Sequence, residues 1–287
     1  MATALGVWRT ARGPIPLDRP RILGILNVTP DSFSDGARHA TPETALRHIE
    51  RMLEDGADLV DVGGESTRPG AHPVPAEEER ARVVPIVREA LRRWPELIVS
   101  VDTVKADVAR AALDEGAAVI NDVSAFRLDP DMARLAADAG AGVVLMHSRG
   151  GVTEMARYTM ARYGDDPVGE MVEELSEALA RALRAGIQEE AIVLDPGLGF
   201  SKHTEESVAA LAQLDRFTAL GRPVLIGPSR KRFVAELAGG LPVDERVEAT
   251  LAACVAGLFR GARLFRVHDV RAARRALDVA EAIRTAT

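Results

Sequence analysis

The chain is poor in cysteine, in aromatic residues and in long apolar runs, and each shortage removes a class of protein. A single cysteine, Cys254, stands among 287 residues, so an internal disulfide and a thiolate metal cage are both excluded, and a reducing, cytoplasmic setting is expected. Aromatics are 4% of the chain, the net charge is −7, and no segment gathers Lys and Arg without matching acids, which argues against nucleic acid as a partner. Nowhere do about eighteen apolar residues follow one another, so no membrane partner is expected. What is abundant is aliphatic bulk: hydrophobic residues are 47% and charged residues 28%, a composition able to fill a large core.

Short runs rich in Val, Ile and Leu recur at 22–28, 58–63, 97–102, 118–122, 142–146, 191–195, 224–227 and 264–267, each followed by a helical pattern. That alternation is the mark of a parallel sheet. In the first helix Thr41 reads as the N-cap and Pro42 as the first helical residue, with Ala45, Leu46, Ile49, Met52 and Leu53 on one face and Gly56 as the stop. The same passage from helix through glycine to strand returns at Gly116, Gly140 and Gly261, and a longer helix over 167–185 ends at Gly186. Eight such units without a linker or a shift in composition favour one α/β domain, a single (β/α)8 TIM barrel over 21–287, with residues 1–20 as an N-terminal cap below it. An open doubly wound sheet is the alternative.

In a barrel of this kind chemistry gathers at the C-terminal strand ends. Asn27, Asp102, Asn121 and Asp195 stand there. Any one of them has a plain reading as a helix cap; four at one mouth call for a ligand rich in N–H donors. Arg230, Lys231, Arg266 and His268 follow the last two strands and form an expected anion site, Arg266 and His268 lying two residues apart and hence on one strand face. Asn27 offers a neutral oxygen suited to Mg²⁺ that arrives with a phosphate-bearing substrate. The histidines show no zinc-type spacing, and His147 reads as structural. The loops over 29–36 and 63–70 are polar and turn-rich, and read as lids.

Asn27-Val28-Thr29-Pro30-Asp31-Ser32-Phe33-Ser34-Asp35-Gly36 and Asp61-Val62-Gly63-Gly64-Glu65-Ser66-Thr67-Arg68-Pro69-Gly70 resemble the two signature segments of the dihydropteroate synthase family. Further matches are Ser100-Val101-Asp102-Thr103, Ile120-Asn121-Asp122-Val123-Ser124, Leu194-Asp195-Pro196-Gly197-Leu198-Gly199-Phe200, Ser229-Arg230-Lys231 and Arg266-Val267-His268-Asp269, in family order. The resemblance implies a transferase of folate biosynthesis that condenses 6-hydroxymethyl-7,8-dihydropterin diphosphate with 4-aminobenzoate, uses Mg²⁺ and forms a homodimer. It further implies pterin binding by Asp102, Asn121, Asp195 and Lys231, and a diphosphate site of Asn27, Thr67, Arg68, Arg266 and His268, with Asn27 toward the metal. Phe33, Pro69, Phe200 and Ser229 fall in the aminobenzoate region; Asp35, Lys231, Arg266 and His268 are the implied catalytic set. Leu198, Ser201 and Pro228 depart from the family's usual residues without removing a functional group. The rivals are a pterin-binding methyltransferase domain, a silent pterin-binding paralogue, and an aldolase with Lys231 as Schiff base. Each leaves the loop signatures or the Arg266 and His268 pair without a role.

Overall fold

The computed structural model describes residues 6–29, 42–66, 72–155 and 157–286. Phe33, Asp35, Thr41, Thr67, Arg68 and Pro69, and with them most of the first expected lid and half of the second, lie outside the described residues.

Two short strands, β1 (Val7–Thr10) and β2 (Gly13–Pro16), form an antiparallel hairpin in which Trp8 faces Ile15. Eight parallel strands follow: β3 (Arg21–Asn27), β4 (Leu59–Gly63), β5 (Ile98–Asp102), β6 (Val119–Asp122), β7 (Gly142–Met146), β8 (Ile192–Asp195), β9 (Leu225–Ile226) and β10 (Leu264–Val267). They lie in the order β8-β7-β6-β5-β4-β3-β10-β9. A bridge between Leu194 and Val224, with the Leu194 N–H donating to the Pro223 carbonyl at 3.0 Å, brings the two outer strands together and rounds the sheet into a barrel. Every barrel strand coincides, within one residue at either end, with one of the eight apolar runs.

The recurrent glycines have one physical task. Gly56, Gly116, Gly140, Gly186 and Gly261 all adopt φ between +60° and +103°, a region where a Cβ is penalised. In each case the following amide donates to the carbonyl five residues back, as Ala57 does to Met52 and Ala262 to Gly257, both at 2.9 Å. This Schellman closure satisfies the last helical carbonyls and redirects the chain at once into the next strand. Helix starts are equally local: the Asp166 carboxylate accepts the Gly169 N–H at 2.9 Å, and Pro167 opens the helix Pro167–Arg184.

Because strand side chains alternate, each barrel strand sends every second residue inward. The lower inward layer is aliphatic: Leu23, Leu59, Val119, Val144, Val193, Leu225 and Leu264 pack together with Trp8, Ile15 and Leu17 of the N-terminal segment. The Trp8 indole N–H donates to the Ala191 carbonyl at 2.9 Å, which lets a buried tryptophan close this end without an unpaired donor. Two residues further along the strands the inward positions become Ile25, Asp61, Ser100, Asn121, Met146, Asp195, Gly227 and Arg266. The barrel therefore changes from an oily floor to a polar chamber in one step of the pleat.

Candidate active site

The chamber is organised around Arg266. Its Nε donates to Asp61 Oδ2 and one terminal nitrogen donates to Asp102 Oδ2, both at 2.6 Å. Asp61 Oδ2 also accepts the Asn121 side-chain N–H at 2.9 Å, so β4, β5, β6 and β10 are joined across the barrel interior. Asp61 is fully buried and Asn121 nearly so. A buried carboxylate is tolerated here because a guanidinium and an amide satisfy it. Among the described residues Asp61 Oδ1 and Ser100 Oγ have no hydrogen-bond partner, leaving two buried polar atoms facing the chamber layer. Burial raises the Asp102 carboxyl to about 7, with Arg266 opposing the shift and Asp61 adding to it. Burial alone would lower the Arg266 pKa; the two carboxylates outweigh it and hold the guanidinium charged.

Asp195 lies across the chamber at the end of β8. Its Oδ1 accepts the Gly197 N–H at 2.7 Å, so half of the carboxylate shapes its own loop. Burial raises its pKa, and the Lys231 ammonium opposes that rise. Lys231, in the loop after β9, donates to the Leu198 carbonyl, and its Nζ sits 4.2 Å from the Phe200 ring centroid. Burial lowers Lys231 to about 7, against the pull of Asp195 and with the help of Arg266. Next to it Ser229 and His268 are paired, Oγ to Nδ1 at 3.0 Å, while the His268 backbone N–H donates to the same Oγ at 3.1 Å. Asn27 closes the ring from the C-terminal end of β3, where its backbone registers with Gly63 of β4.

The fold thus brings together Asn27, Asp102, Asn121, Asp195, Phe200, Ser229, Lys231, Arg266 and His268. It also changes the reading of some neighbours. Arg230 does not join the cationic cluster, because its guanidinium is held by Asp269 at 2.9 and 2.6 Å and its backbone, at φ +57°, is fixed by Thr250 and Arg246. Arg266 is inside β10 while His268 lies one residue past its end, and Arg266 commits two of its donors to carboxylates. Asp122 belongs to the turn after β6: its oxygens accept Ser124 N–H and O–H, both at 2.7 Å, and Phe126 N–H at 3.2 Å. His147 is structural in the sense expected, bonded to Glu174 and Lys202. Sequence reasoning passed over Asp61 as a site residue, although a lone carboxylate within Leu59-Val60-Asp61-Val62 was its visible signal. Lys202 was also missed, and nothing in its sequence context marks it.

Fold and site together define a barrel enzyme whose chamber receives a flat, hydrogen-bonding ligand beside a cationic patch. The chain belongs to the pterin-binding enzyme family, whose pattern it matches over residues 23–268. It is similar to the dihydropteroate synthase of Bacillus subtilis, at 42% identity over 88% of this chain and 85% of that one. Among solved structures, Xanthomonas albilineans dihydropteroate synthase with 4-aminobenzoic acid superposes with a TM-score of 0.88 at 46% identity, covering 96% of each chain. The same enzyme in complex with 7,8-dihydropteroate gives 0.86 at 44% identity, over 96% of this chain and 97% of that one.

Proposed function

We infer that this chain condenses 6-hydroxymethyl-7,8-dihydropterin diphosphate with 4-aminobenzoate to give 7,8-dihydropteroate and diphosphate. The observation that carries the reading is the polar chamber, in which Asp102, Asn121 and Asp195 surround one space while Lys231 and Phe200 form a separate platform at its rim. A pterin edge presents adjacent N–H donors, which the Asp195 carboxylate accepts in pairs while Asn121 donates and accepts. Lys231 donates to pterin acceptors, and its stem and the Phe200 ring, with Ser229, flank the incoming aminobenzoate.

Arg266 and His268 face the diphosphate, with Thr67 and Arg68 of the second loop completing that site. The C–O bond breaks with its electron pair leaving on the diphosphate, and the electron-rich dihydropterin stabilises the resulting cation-like carbon. The aminobenzoate nitrogen then attacks, and the new anilinium loses its proton. Asp35 is assigned to stabilising the cation, and Phe33 and Pro69 to enclosing the aminobenzoate. The donor set fits Mg²⁺: Asn27 is an uncharged oxygen ligand, and among the described residues no cluster of three or more His, Cys, Asp or Glu could cage a metal by itself. Asn27 and the substrate diphosphate would hold the ion, which supplies charge neutralisation for the leaving group.

A homodimer is supported by the outward side of the helices Val247–Phe259 and Val270–Thr285, where Phe259, Val279 and Ile283 are 52%, 62% and 63% exposed. Among the described residues no helix is long and apolar enough to cross a membrane, and the buried thiol of Cys254 fits a reducing cytoplasm. The methyltransferase reading leaves the cationic patch unused. The decisive experiment incubates the purified protein with dihydropterin diphosphate, 4-aminobenzoate and Mg²⁺ and follows dihydropteroate and diphosphate. Stoichiometric formation of both is expected; pterin binding without product would replace the enzyme by a binding module.

A further inference from the structure

After β8 the chain takes left-handed backbone at three alternate residues, Gly197, Gly199 and Ser201, with φ of +66°, +76° and +49°. The two glycines of this staircase take such backbone without penalty, but Ser201 carries a Cβ and has to be held there from outside. Ser201 is held on every side: its N–H donates to the Met155 carbonyl at 2.5 Å, its hydroxyl to the Arg149 carbonyl at 2.7 Å, and its own carbonyl accepts the Tyr163 hydroxyl at 3.0 Å. Lys202 then turns back beneath the staircase and is 1% exposed. Its Nζ donates to the Phe200 carbonyl at 3.0 Å and lies 2.7 Å from His147 Nδ1, with the His147 carbonyl a third acceptor at 3.4 Å. On the far side of the ring, His147 Nε2 is 3.0 Å from a Glu174 oxygen on the helix Pro167–Arg184. Burial, aided by Lys202, pushes His147 down to about 4, so near pH 7 the neutral ring donates through Nε2–H to Glu174 and accepts at Nδ1.

The amine is costly in such a place. A methionine would fill the same volume without desolvating a polar group, so the lysine must contribute something other than packing. What it holds from below is what Lys231 touches from above: Leu198 accepts Lys231 Nζ, and the Phe200 ring lies under the same ammonium. The charged groups that act on Lys202 are Asp195 and Glu174, which favour its protonated form, and Lys231 and Arg149, which oppose it.

We propose that Lys202 is a positioning residue for the aminobenzoate subsite: by fixing the Phe200 carbonyl and tying it through His147 to Glu174, it sets the Phe200 ring against Lys231. The proposal rests on the functional reading above. No substrate of that reaction touches Lys202, so its effect has to appear as a split between the two substrates.

Steady-state kinetics of wild type, Lys202→Met, Phe200→Ala and the double variant provide the test. Lys202→Met is expected to raise KM for 4-aminobenzoate about tenfold, the equivalent of one lost buried hydrogen bond, with kcat within about threefold and KM for dihydropterin diphosphate unchanged. Because Lys202 acts through Phe200, the double variant is expected to match Phe200→Ala alone. His147→Leu, which removes the acceptor on the other side, is expected to raise the same KM and serves as the test if Lys202→Met does not fold. An unchanged aminobenzoate KM, equal losses for both substrates, or additive effects in the double variant would each overturn the proposal. Wild-type protein that makes no dihydropteroate overturns the functional reading and the proposal with it.

Discussion

Replacing Arg266 with methionine removes the cation that lies between Asp61 and Asp102, and the structure says what this costs. Asp61 is fully buried and Asp102 largely so, its side chain 16% exposed, and each gives up a charge-assisted bond of 2.6 Å. Breaking a buried ion pair by deleting one partner destabilises by about 3–5 kcal/mol, because the remaining charge has no compensation. For a chain of this size that corresponds to a fall in Tm of roughly 5–8 °C. The loss carries a pH signature. With Arg266 present the Asp102 carboxyl already lies at about 7, and without the guanidinium, which opposes that rise, it is pushed higher still. The native variant then binds more protons than its unfolded chain between the ordinary carboxylate range and the raised values, so its stability falls as pH rises. Thermal melts of wild type and Arg266→Met at pH 5.5 and pH 8 should show the larger gap at pH 8. Adding Asp61→Asn to Arg266→Met removes one of the stranded charges and should recover about half of the loss. A gap below about 1 kcal/mol, or one that is equal at both pH values, would refute the claim that Arg266 neutralises this pair.

Other perturbations test neighbouring parts. His147, ordinarily near 6.5 and here about 4, is bare in the native state while the unfolded chain takes up a proton, so acidification through that window should cost about 3 kcal/mol that His147→Gln does not lose. Chemical denaturation at pH 7 and pH 4.5 measures it, and a wild-type loss matched by the variant removes His147 as the cause. Lys231 loses its proton near pH 7, so kcat/KM for dihydropterin diphosphate should decline on the alkaline side of that value; a flat profile from about pH 6 to 8.5 would contradict a cationic Lys231 in pterin binding. A Cβ on Gly197 would stand 2.0 Å from the His147 carbonyl oxygen at a φ of +66°, so Gly197→Ala should cost at least about 3 kcal/mol and fail to accumulate as folded protein. Trp8→Ala should cost about 3–5 kcal/mol in unfolding free energy yet leave kcat of the folded fraction unchanged, since Trp8 lies at the opposite end of the barrel from the chamber.

Much of the barrel is legible residue by residue. The eight runs of aliphatic residues mark the strands because a strand covered on both faces reads as a continuous apolar segment, and the glycines mark helix ends because only they take a left-handed turn without penalty. The site residues stand out for a related reason: a polar residue interrupting such a segment, as at Asn121 or Asp195, has to be met by a partner or a ligand. Asp61 obeys the same rule and escaped attention because it sits in the middle of a run rather than at its end. Arg230 was misjudged because its guanidinium and that of Arg266 are chemically identical in sequence, and only the position of Asp269 separates them.

Composition and periodicity favoured the barrel and marked the mouth at which the polar residues collect, while the pterin chemistry followed from the resemblance of the signature segments to a known family. These are local or periodic properties, and two-residue alternation carries them along every strand. Which polar group pairs with which was decided only in three dimensions. Asp61, Asp102 and Arg266 lie on strands separated by up to 205 positions, and their bonds depend on the register with which the barrel closes. Lys202 gives the clearest case: its sequence neighbourhood is an ordinary loop, and only the folded chain places its amine beneath Phe200 and against His147, where burial and geometry make it a structural part of the site.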